Sequence, residues 1–310
     1  MPCDARRSSS GAAYARTAIF AGVFLLGAIV VGVRGGPVEL GPGDVVRSLL
    51  ARLGLVGETP LDPTEESILW ELRAPRVVLA ALVGGMLALA GATYQGVFHN
   101  PLADPYLLGV AAGAGLGATL AIAYLPRVFA GQQLLPLAAF AGGAVAVVVT
   151  WLIGRSAGRE RDTTTFVLAG VVVASFFTAV QTFVQQQNSE TLQEVYSWIL
   201  GALPSSGWSD VWTLAPYVVG ASAVILVHSP KVDVLSVGND EAASTGVDVG
   251  RMRLMLVVAA TIGTAAAVSV SGLIAFVGII VPHTIRLLVG TSYRGLLPLS
   301  VVVGAGFLVL

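Results

Sequence analysis

Nine apolar runs, most of them about as long as a membrane is thick, constrain the fold of this chain more than any other feature. Only 11% of the 310 residues are charged and the mean hydropathy is +0.82, whereas soluble domains carry roughly 25% charged residues. Because a helix needs about 20 apolar residues to cross a bilayer, eight runs predict complete spans and the ninth predicts a truncated one. The runs are 17–33, 77–98, 106–125, 135–154, 165–185, 211–229, 254–271, 273–290 and 297–310.

The predicted fold is therefore an all-α, polytopic membrane helical bundle, and a water-soluble enzyme or a disordered chain is excluded. We expect a cytoplasmic N-terminal tail at 1–16 and a single transmembrane domain at 17–310, with a long outer loop at 34–76 and an inner loop at 230–253. The last apolar run reaches Leu310 without a polar residue that closes it. We expect from this that the C-terminal end is truncated.

Glycine spacing predicts that the helices pack tightly. Gly109, Gly113 and Gly117 follow one another at intervals of four residues within the third run. Small residues at this spacing let helix backbones approach closely in lipid, where no hydrophobic effect drives helices together.

Basic residues predict the orientation of the spans. With a cytoplasmic N-terminus, the inner segments hold 11 of the 17 lysines and arginines and the outer segments hold 6, in agreement with the positive-inside rule. We therefore expect a multi-pass protein of the plasma (inner) membrane. The outer loop also contains an amphipathic stretch, DVVRSLLARLGL, that predicts a surface helix.

Several kinds of chemistry are missing from the sequence. The only lysine, Lys231, does not follow a glycine-rich loop, so the chain has no Walker A motif and cannot hydrolyse ATP by itself. No histidine, cysteine or carboxylate cluster has the spacing of a metal site, and the net charge of −1 gives no indication of nucleic-acid binding. No charged residue lies well inside the first eight spans, which counts against an ion-coupled carrier.

Two arginines mark the outer start of the second span, where the sequence reads LRAPR. Arg73 and Arg76 are three residues apart and so share one helical face. Snorkelling to the interface is one explanation. The outer location, where basic residues are disfavoured, favours the other, which is an ionic docking point for an acidic partner.

The inner end of the second span reads QGVFHNPLADP. Gln95 lies about one turn inside the membrane, and either an interhelical hydrogen bond or a place along a transport path would explain it. Asn100 precedes Pro101, which forces an extended turn. Asn100 or Asp104 is expected to cap the next helix.

Two further stretches lie near the inner ends of spans. Thr163, Thr164 and Thr165 open the fifth span, where they either cap the helix or line a narrow inner gate. Pro282 predicts a kink in the eighth span. His283 and Arg286 are three residues apart and are expected to line the inner mouth.

The inner loop is long enough to fold. Ser236 or Asn239 can start a helix that Gly246 ends, and Asp248 can start another. A compact loop of mixed charge, unlike a plain linker, predicts contact with a cytoplasmic partner.

Taken together, these stretches resemble the FecCD family of ABC-importer permeases, the membrane subunits for uptake of ferric siderophores, haem and cobalamin. The resemblance runs in family order across about residues 70–305. The matching stretches are LRAPR, LALAGATYQGVFHNPLADPYLLGVAAGAGLGA, VLAGV, WILGAL, VGNDEAASTG and SGLIAFVGIIVPHTIRLLVGTSYRGLLPLS.

The resemblance implies a ten-span subunit that works with a second permease copy or a related subunit, with the path between the two. It also implies two cytoplasmic ATPase subunits, which carry the ATP and magnesium, and an extracytoplasmic substrate-binding protein whose acidic residues meet Arg73 and Arg76. The threonines at 163–165 fall at the family's inner gate, and Gln95, Asn100 and Pro101 along its path. The residues placed at the ATPase contact are Val237, Gly238, Asn239, Asp240, Glu241, Ala242, Gly246, Asp248 and Arg251.

Two departures from the family pattern stand out. Val237 and Thr245 occupy positions where the family usually carries leucine, and the tenth span is absent. The function predicted is a permease subunit, not an enzyme, of an ATP-driven importer for an iron-siderophore, haem or cobalamin type of metal chelate. The alternative is an ATP-independent carrier or a structural membrane subunit. No residue distinguishes the possible cargoes.

Overall fold

The protein is described by a computed structural model that covers residues 3–125, 134–156, 163–201, 203, 207–244 and 248–310. Side chains are described for the same residues except 3–13, 163–164, 239–240 and 243. In these ranges the chain is helical, and no strand is present. The helices are α1 Cys3–Arg34, α2 Pro42–Arg52, α3 Pro63–Ser67, α4 Ala74–Val97, α5 Val110–Tyr124, α6 Leu134–Ser156, α7 Thr163–Gln187, α8 Leu192–Leu200, α9 Trp208–Val227, α10 Ser229–Val237, α11 Asn239–Ser244, α12 Val249–Ser271, α13 Val277–Val289 and α14 Tyr293–Val309.

The apolar runs all become helices, but two of those predicted to be complete spans, at 106–125 and 273–290, are shorter than predicted. Among the described residues, six helical stretches are long and apolar enough to cross a membrane. The runs expected at 106–125, 273–290 and 297–310 form α5, α13 and α14, which have 15, 13 and 17 residues. At about 1.5 Å per residue, α13 is only about 20 Å long. An all-α membrane bundle is therefore present, and the described residues do not confirm the ten-span type or the count of eight complete spans.

Helix α4 is the centre of the bundle. Every residue from Val83 to Phe98 is buried, and α9, α12, α13 and α14 pack around it. A methyl group at Gly84 would overlap the carbonyl of Gly304 on α14, and one at Gly91 would overlap the carbonyl of Gly278 on α13. Glycine at these crossings lets the backbones touch.

The glycine spacing in α5 also produces a close crossing. Gly113 and Gly117 lie against the backbone of α6, where a methyl group would overlap the carbonyls of Gly142 and Ala138. The prediction of tight packing is confirmed for these two positions. Gly109 has a different use, because it precedes α5 with a φ of 81°, a conformation that glycine adopts without strain.

Hydrogen bonds and a cation–π contact hold the predicted outer loop, residues 34–76, to the bundle. The predicted surface helix is present as α2, and the indole N–H of Trp70 donates to the Ser48 hydroxyl on it at 3.0 Å. Trp70 lies in a π-helical turn, Ile68–Arg73, between α3 and α4. Its carbonyl accepts from the indole of Trp208 at 2.7 Å, and the guanidinium of Arg52 lies 4.8 Å from its ring.

A non-helical segment between α12 and α13 explains why α13 is short. Gly272 and Phe276 have φ values of 74° and 70°, so the segment between α12 and α13 is not helical. The hydroxyl of Tyr106 donates to the carbonyl of Ile274 at 2.8 Å and accepts from its backbone N–H at 3.2 Å. Because unpaired backbone groups are costly in lipid, this one side chain stabilises the break.

Replacing Gly91 with alanine tests the central crossing. The added methyl group would meet backbone atoms of Gly278, which cannot rotate away. We expect the G91A variant to lose roughly 1–3 kcal/mol of stability, the usual cost of overpacking. Thermal unfolding in detergent would measure it. The matched control is G22A, whose methyl group would meet nothing within 4 Å; an equal loss in both variants would contradict the account.

Candidate functional site

The inner segment, residues 229–244, folds into two short helices. Gly238 ends α10, and α11 begins at Asn239. Of the two helix starts predicted, Ser236 and Asn239, the structure has the second. Leu235 and Ala242 are fully buried against the bundle, whereas the Val237 side chain between them is 71% exposed. The two helices therefore form a compact unit that presents an apolar side chain on the surface of the bundle.

The end of the inner loop starts the next span. Asp248 accepts a hydrogen bond from the backbone N–H of Arg251 at 3.0 Å and thereby caps α12, so the predicted helix start is confirmed. The two side chains also form an exposed ion pair at 3.8 Å, which contributes little to stability. Gly246, the predicted end of the preceding helix, lies outside the described residues. The side chains of Asn239 and Asp240 do as well.

Helix α10 is attached to the start of α14 by Asp233, a residue that the sequence analysis did not single out. Its carboxylate accepts from the backbone N–H of Tyr293 at 2.5 Å and from the Ser292 hydroxyl at 3.1 Å. The exposed Arg294 lies 3.9 Å from the same carboxylate. The available signal was a single acidic residue with apolar neighbours, Val232 before it and Val234 after it.

Gln95 bridges α4 and α13. Its amide group donates to the carbonyl of Gly278 at 3.3 Å and accepts from the guanidinium of Arg286 at 2.8 Å. The side chain is 2% exposed. Of the two explanations left open for Gln95, the structure contains the interhelical hydrogen bond, and a place along a path stays a prediction.

The loop after α4 is held by local turns. His99 adopts a left-handed conformation with φ at 52°, and its ring Nε2–H donates to the carbonyl of Leu235 on α10. Asn100 accepts from the backbone N–H of Leu102 at 3.0 Å, and Pro101 is exposed.

The expectation that Asn100 or Asp104 caps the next helix is wrong, because Gly109 occupies that position. Asp104 instead closes a turn by accepting from the backbone N–H of Tyr106 at 2.7 Å. Burial raises the pKa of the Asp104 carboxyl, since this one hydrogen bond only partly offsets the lost hydration.

The two arginines of LRAPR have different surroundings. The guanidinium of Arg73 is buried and donates to the carbonyls of Val33 and Arg34 at 3.0 Å each, and to that of Val38 at 2.6 Å. It therefore caps the C-terminal end of α1, whose last carbonyls lack helical partners. Arg76, by contrast, is exposed. Docking by these arginines stays a prediction, and only Arg76 presents its charge to solvent.

Helix α7 carries an exposed polar stripe beyond its first turn. Thr163, Thr164 and Thr165 are in that turn, and only the side chain of Thr165, which is half-buried, is described. Four uncharged polar residues follow on one exposed face at helical spacing. They are Ser175, Thr178, Thr182 and Gln186.

The remaining inner-mouth residues lie on α13. Pro282 is buried inside the helix, which continues on both sides of it from Val277 to Val289. His283 is exposed, whereas Arg286 is half-buried and reaches Gln95 and the hydroxyl of Tyr293. The two residues thus have different surroundings although they are three positions apart.

The model of the FecCD transport family matches residues 24–310, and the chain belongs to this family. An uncharacterized ABC transporter permease protein of Bacillus subtilis, YvrB, is 36% identical over 93% of this chain and 82% of its own length.

Two relatives carry names with a cargo. The cobalamin import system permease protein BtuC of Halobacterium salinarum is 42% identical over 79% of this chain and 66% of its own length. The Fe(3+) dicitrate transport system permease protein FecC of Escherichia coli is 34% identical over 86% of this chain and 78% of its own.

A solved structure shares the fold. It is an inward-facing conformation of an ABC transporter of the metal-chelate type, with a TM-score of 0.80 and 26% identity. The alignment covers 94% of this chain and 87% of that one.

Replacing Arg73 with glutamine tests the capping role. The buried guanidinium makes three hydrogen bonds to carbonyls, and its loss leaves α1 uncapped. We expect R73Q to lose roughly 1.5–3 kcal/mol of stability, the range for hydrogen bonds to charged groups. Thermal unfolding in detergent would measure the loss. R76Q is the control, because that side chain is exposed; equal stability of both variants would rule out the cap.

Proposed function

We propose that this chain is the permease subunit of an ATP-driven importer for a metal chelate of the iron-siderophore, haem or cobalamin type. The chain supplies shape and coupling, and a separate ATPase hydrolyses ATP. The folded inner segment is the observation that carries the proposal, because it buries Leu235 and Ala242 while it exposes Val237. A partner protein that covers Val237 would remove this apolar side chain from water, which is favourable.

The inner segment transmits the ATPase motion in this proposal. Two ATPase subunits contact the residues from Val237 to Arg251, and closure of the ATPases moves the segment as one body. The permease helices then alternate between inward and outward access. The likeness to a transporter solved in an inward-facing conformation supports this assignment.

A path for the cargo would run along α7. The helix packs against α5 and α6, so its other side is exposed. There Ser175, Thr178 and Thr182 stand beside apolar residues such as Phe176 and Phe183. The Thr182 hydroxyl donates to the Thr178 carbonyl at 2.9 Å within the helix. Water or a second permease copy would offer the stripe further hydrogen bonds, which lipid tails cannot. We place the path between two copies along this stripe, with the threonines 163–165 at its inner gate.

The outer face would receive the substrate-binding protein. Arg76 supplies an exposed positive charge there, and the Arg73 beside it stabilises the outer loop through its three carbonyl contacts. An acidic surface on the binding protein would be attracted to this site. In this arrangement the protein lies in the plasma membrane with its N-terminus in the cytoplasm, as the distribution of basic residues favours.

The proposed cargo is inferred only from the names of the relatives. Permeases named for cobalamin and for ferric citrate are similar to this chain, so a metal chelate is the common class. Uptake of radiolabelled cyanocobalamin and ferric citrate by the reconstituted importer would separate the two. Specificity is expected to reside mostly in the binding protein.

Replacing Val237 with aspartate tests the proposed ATPase contact. We expect tagged wild-type protein, purified in mild detergent, to bring down a stoichiometric ATPase subunit identified by mass spectrometry. V237D should reduce recovery of that subunit at least about tenfold, because a buried unpaired charge is costly at an interface. L55D is the control, because Leu55 is an apolar residue of similar exposure, 70%, that lies in the predicted outer loop.

A stable wild-type oligomer without an ATPase, even under ATP-trapping conditions, would favour the carrier or structural subunit instead. Equal recovery of the ATPase with V237D and L55D would show that Val237 is not part of the contact.

A charge reversal at Arg76 tests the docking site. We expect R76E to weaken binding of the substrate-binding protein about tenfold at low salt and much less at high salt, because exposed charges are screened. R155E is the control, since Arg155 is an exposed arginine at the inner end of α6. Surface plasmon resonance with the complex in nanodiscs would measure both. A loss that is the same at all salt concentrations would argue against ionic docking.

A further inference from the structure

We infer that Asp233 and His99 are positioning residues that fasten the inner segment to α14 and α4, so that a displacement of α10 moves both helices. This inference rests on the proposed function, because it needs an ATPase that moves the inner segment. It assigns roles to residues beyond the predicted ATPase contact. Each residue attaches α10 at a different point.

Asp233 supplies the cap that α14 lacks within its own sequence. Ser292 precedes this helix but its side chain makes no capping hydrogen bond within it. The Asp233 carboxylate instead accepts from the first backbone N–H of α14, that of Tyr293, and from the hydroxyl of Ser292. The positive end of the helix dipole favours this carboxylate. An acid on the inner segment thus completes the start of a helix some 60 residues later in the chain.

His99 holds the other end of α10. Its ring donates to the carbonyl of Leu235, which lies in the last turn of α10, where carbonyls have no helical partner. The backbone of His99 is in the left-handed region, which is uncommon for residues other than glycine. The backbone N–H of Asn100 bonds to the carbonyl of Gln95 at 3.2 Å, and this turn fixes the ring in reach of α10.

Close packing fills the space between the two attachments. A methyl group at Gly96 would come within 2.6 Å of the Val232 side chain and 3.0 Å of the Tyr293 ring. Helix α10 therefore lies directly on α4 and on the first turn of α14. With one attachment, α10 could pivot about it, whereas two attachments and a filled gap transmit rotation as well as translation.

The test measures coupling separately from ATP hydrolysis. The importer, reconstituted in proteoliposomes with its ATPase and binding protein, is given radiolabelled cyanocobalamin or ferric citrate. The readout is the amount of probe taken up for each ATP hydrolysed. We expect D233A to lower this ratio about fivefold while ATPase recovery and ATP hydrolysis persist, because a charge-assisted bond to the moving helix is lost.

Two further variants separate coupling from folding. D233N keeps an oxygen that can accept from Tyr293 and should restore at least half of the wild-type ratio. H99N tolerates the left-handed backbone but is too short to reach the Leu235 carbonyl, so it should lower the ratio about threefold. R294Q is the control and should keep the wild-type ratio, because Arg294 is exposed and its long ion pair with the carboxylate, 3.9 Å, contributes little.

Each outcome decides between the alternatives. Wild-type ratios in both D233A and H99N would overturn the inference and leave the proposed function intact. Parallel loss of the ATPase subunit, hydrolysis and uptake in D233A, without rescue by D233N, would show a folding role and also overturn it. A wild-type complex that recovers no ATPase subunit, even under ATP-trapping conditions, would overturn the proposed function, and the inference with it.

Discussion

The close approach of α4 to its neighbours is the constraint on which the rest of the structure depends. Lipid supplies no hydrophobic force between helices, so contact area and backbone proximity must hold them together. Gly84 and Gly91 provide that proximity toward α14 and α13. Helix α4 is buried from Val83 to Phe98. Gln95, Arg286 and residues 229–244 are arranged around its C-terminal end.

Polar contacts then attach the parts that packing alone does not hold. The outer loop is fastened through Trp70 and Arg73, and the inner segment through Asp233 and His99. In each case a side chain satisfies backbone groups at a helix end or a hydroxyl on another element. Such bonds cost little at the membrane surface and are directional. They fix how a surface segment is oriented on a core that is otherwise apolar.

Much of the helical architecture could be predicted from the sequence, and the failures have physical causes. Long apolar runs specify helices, and Asp248 was recognisable as a helix start because capping is local. The short α13 was not predicted, because an apolar run does not reveal a break whose backbone is satisfied by Tyr106, some 168 residues away. The roles of Arg73 and Asp233 were missed for the same reason, since their partners lie 35–60 residues distant.

The cap on α1 has a consequence for the order of biogenesis. Helix α1 is largely exposed along its length, and the guanidinium that satisfies its last carbonyls belongs to a residue about 40 positions later. A chain emerges from the ribosome from its N-terminus. Helix α1 is therefore synthesised before its cap, and its last carbonyls depend on water until Arg73 follows. Synthesis of the π-helical turn that precedes α4 is thus also the step that completes α1.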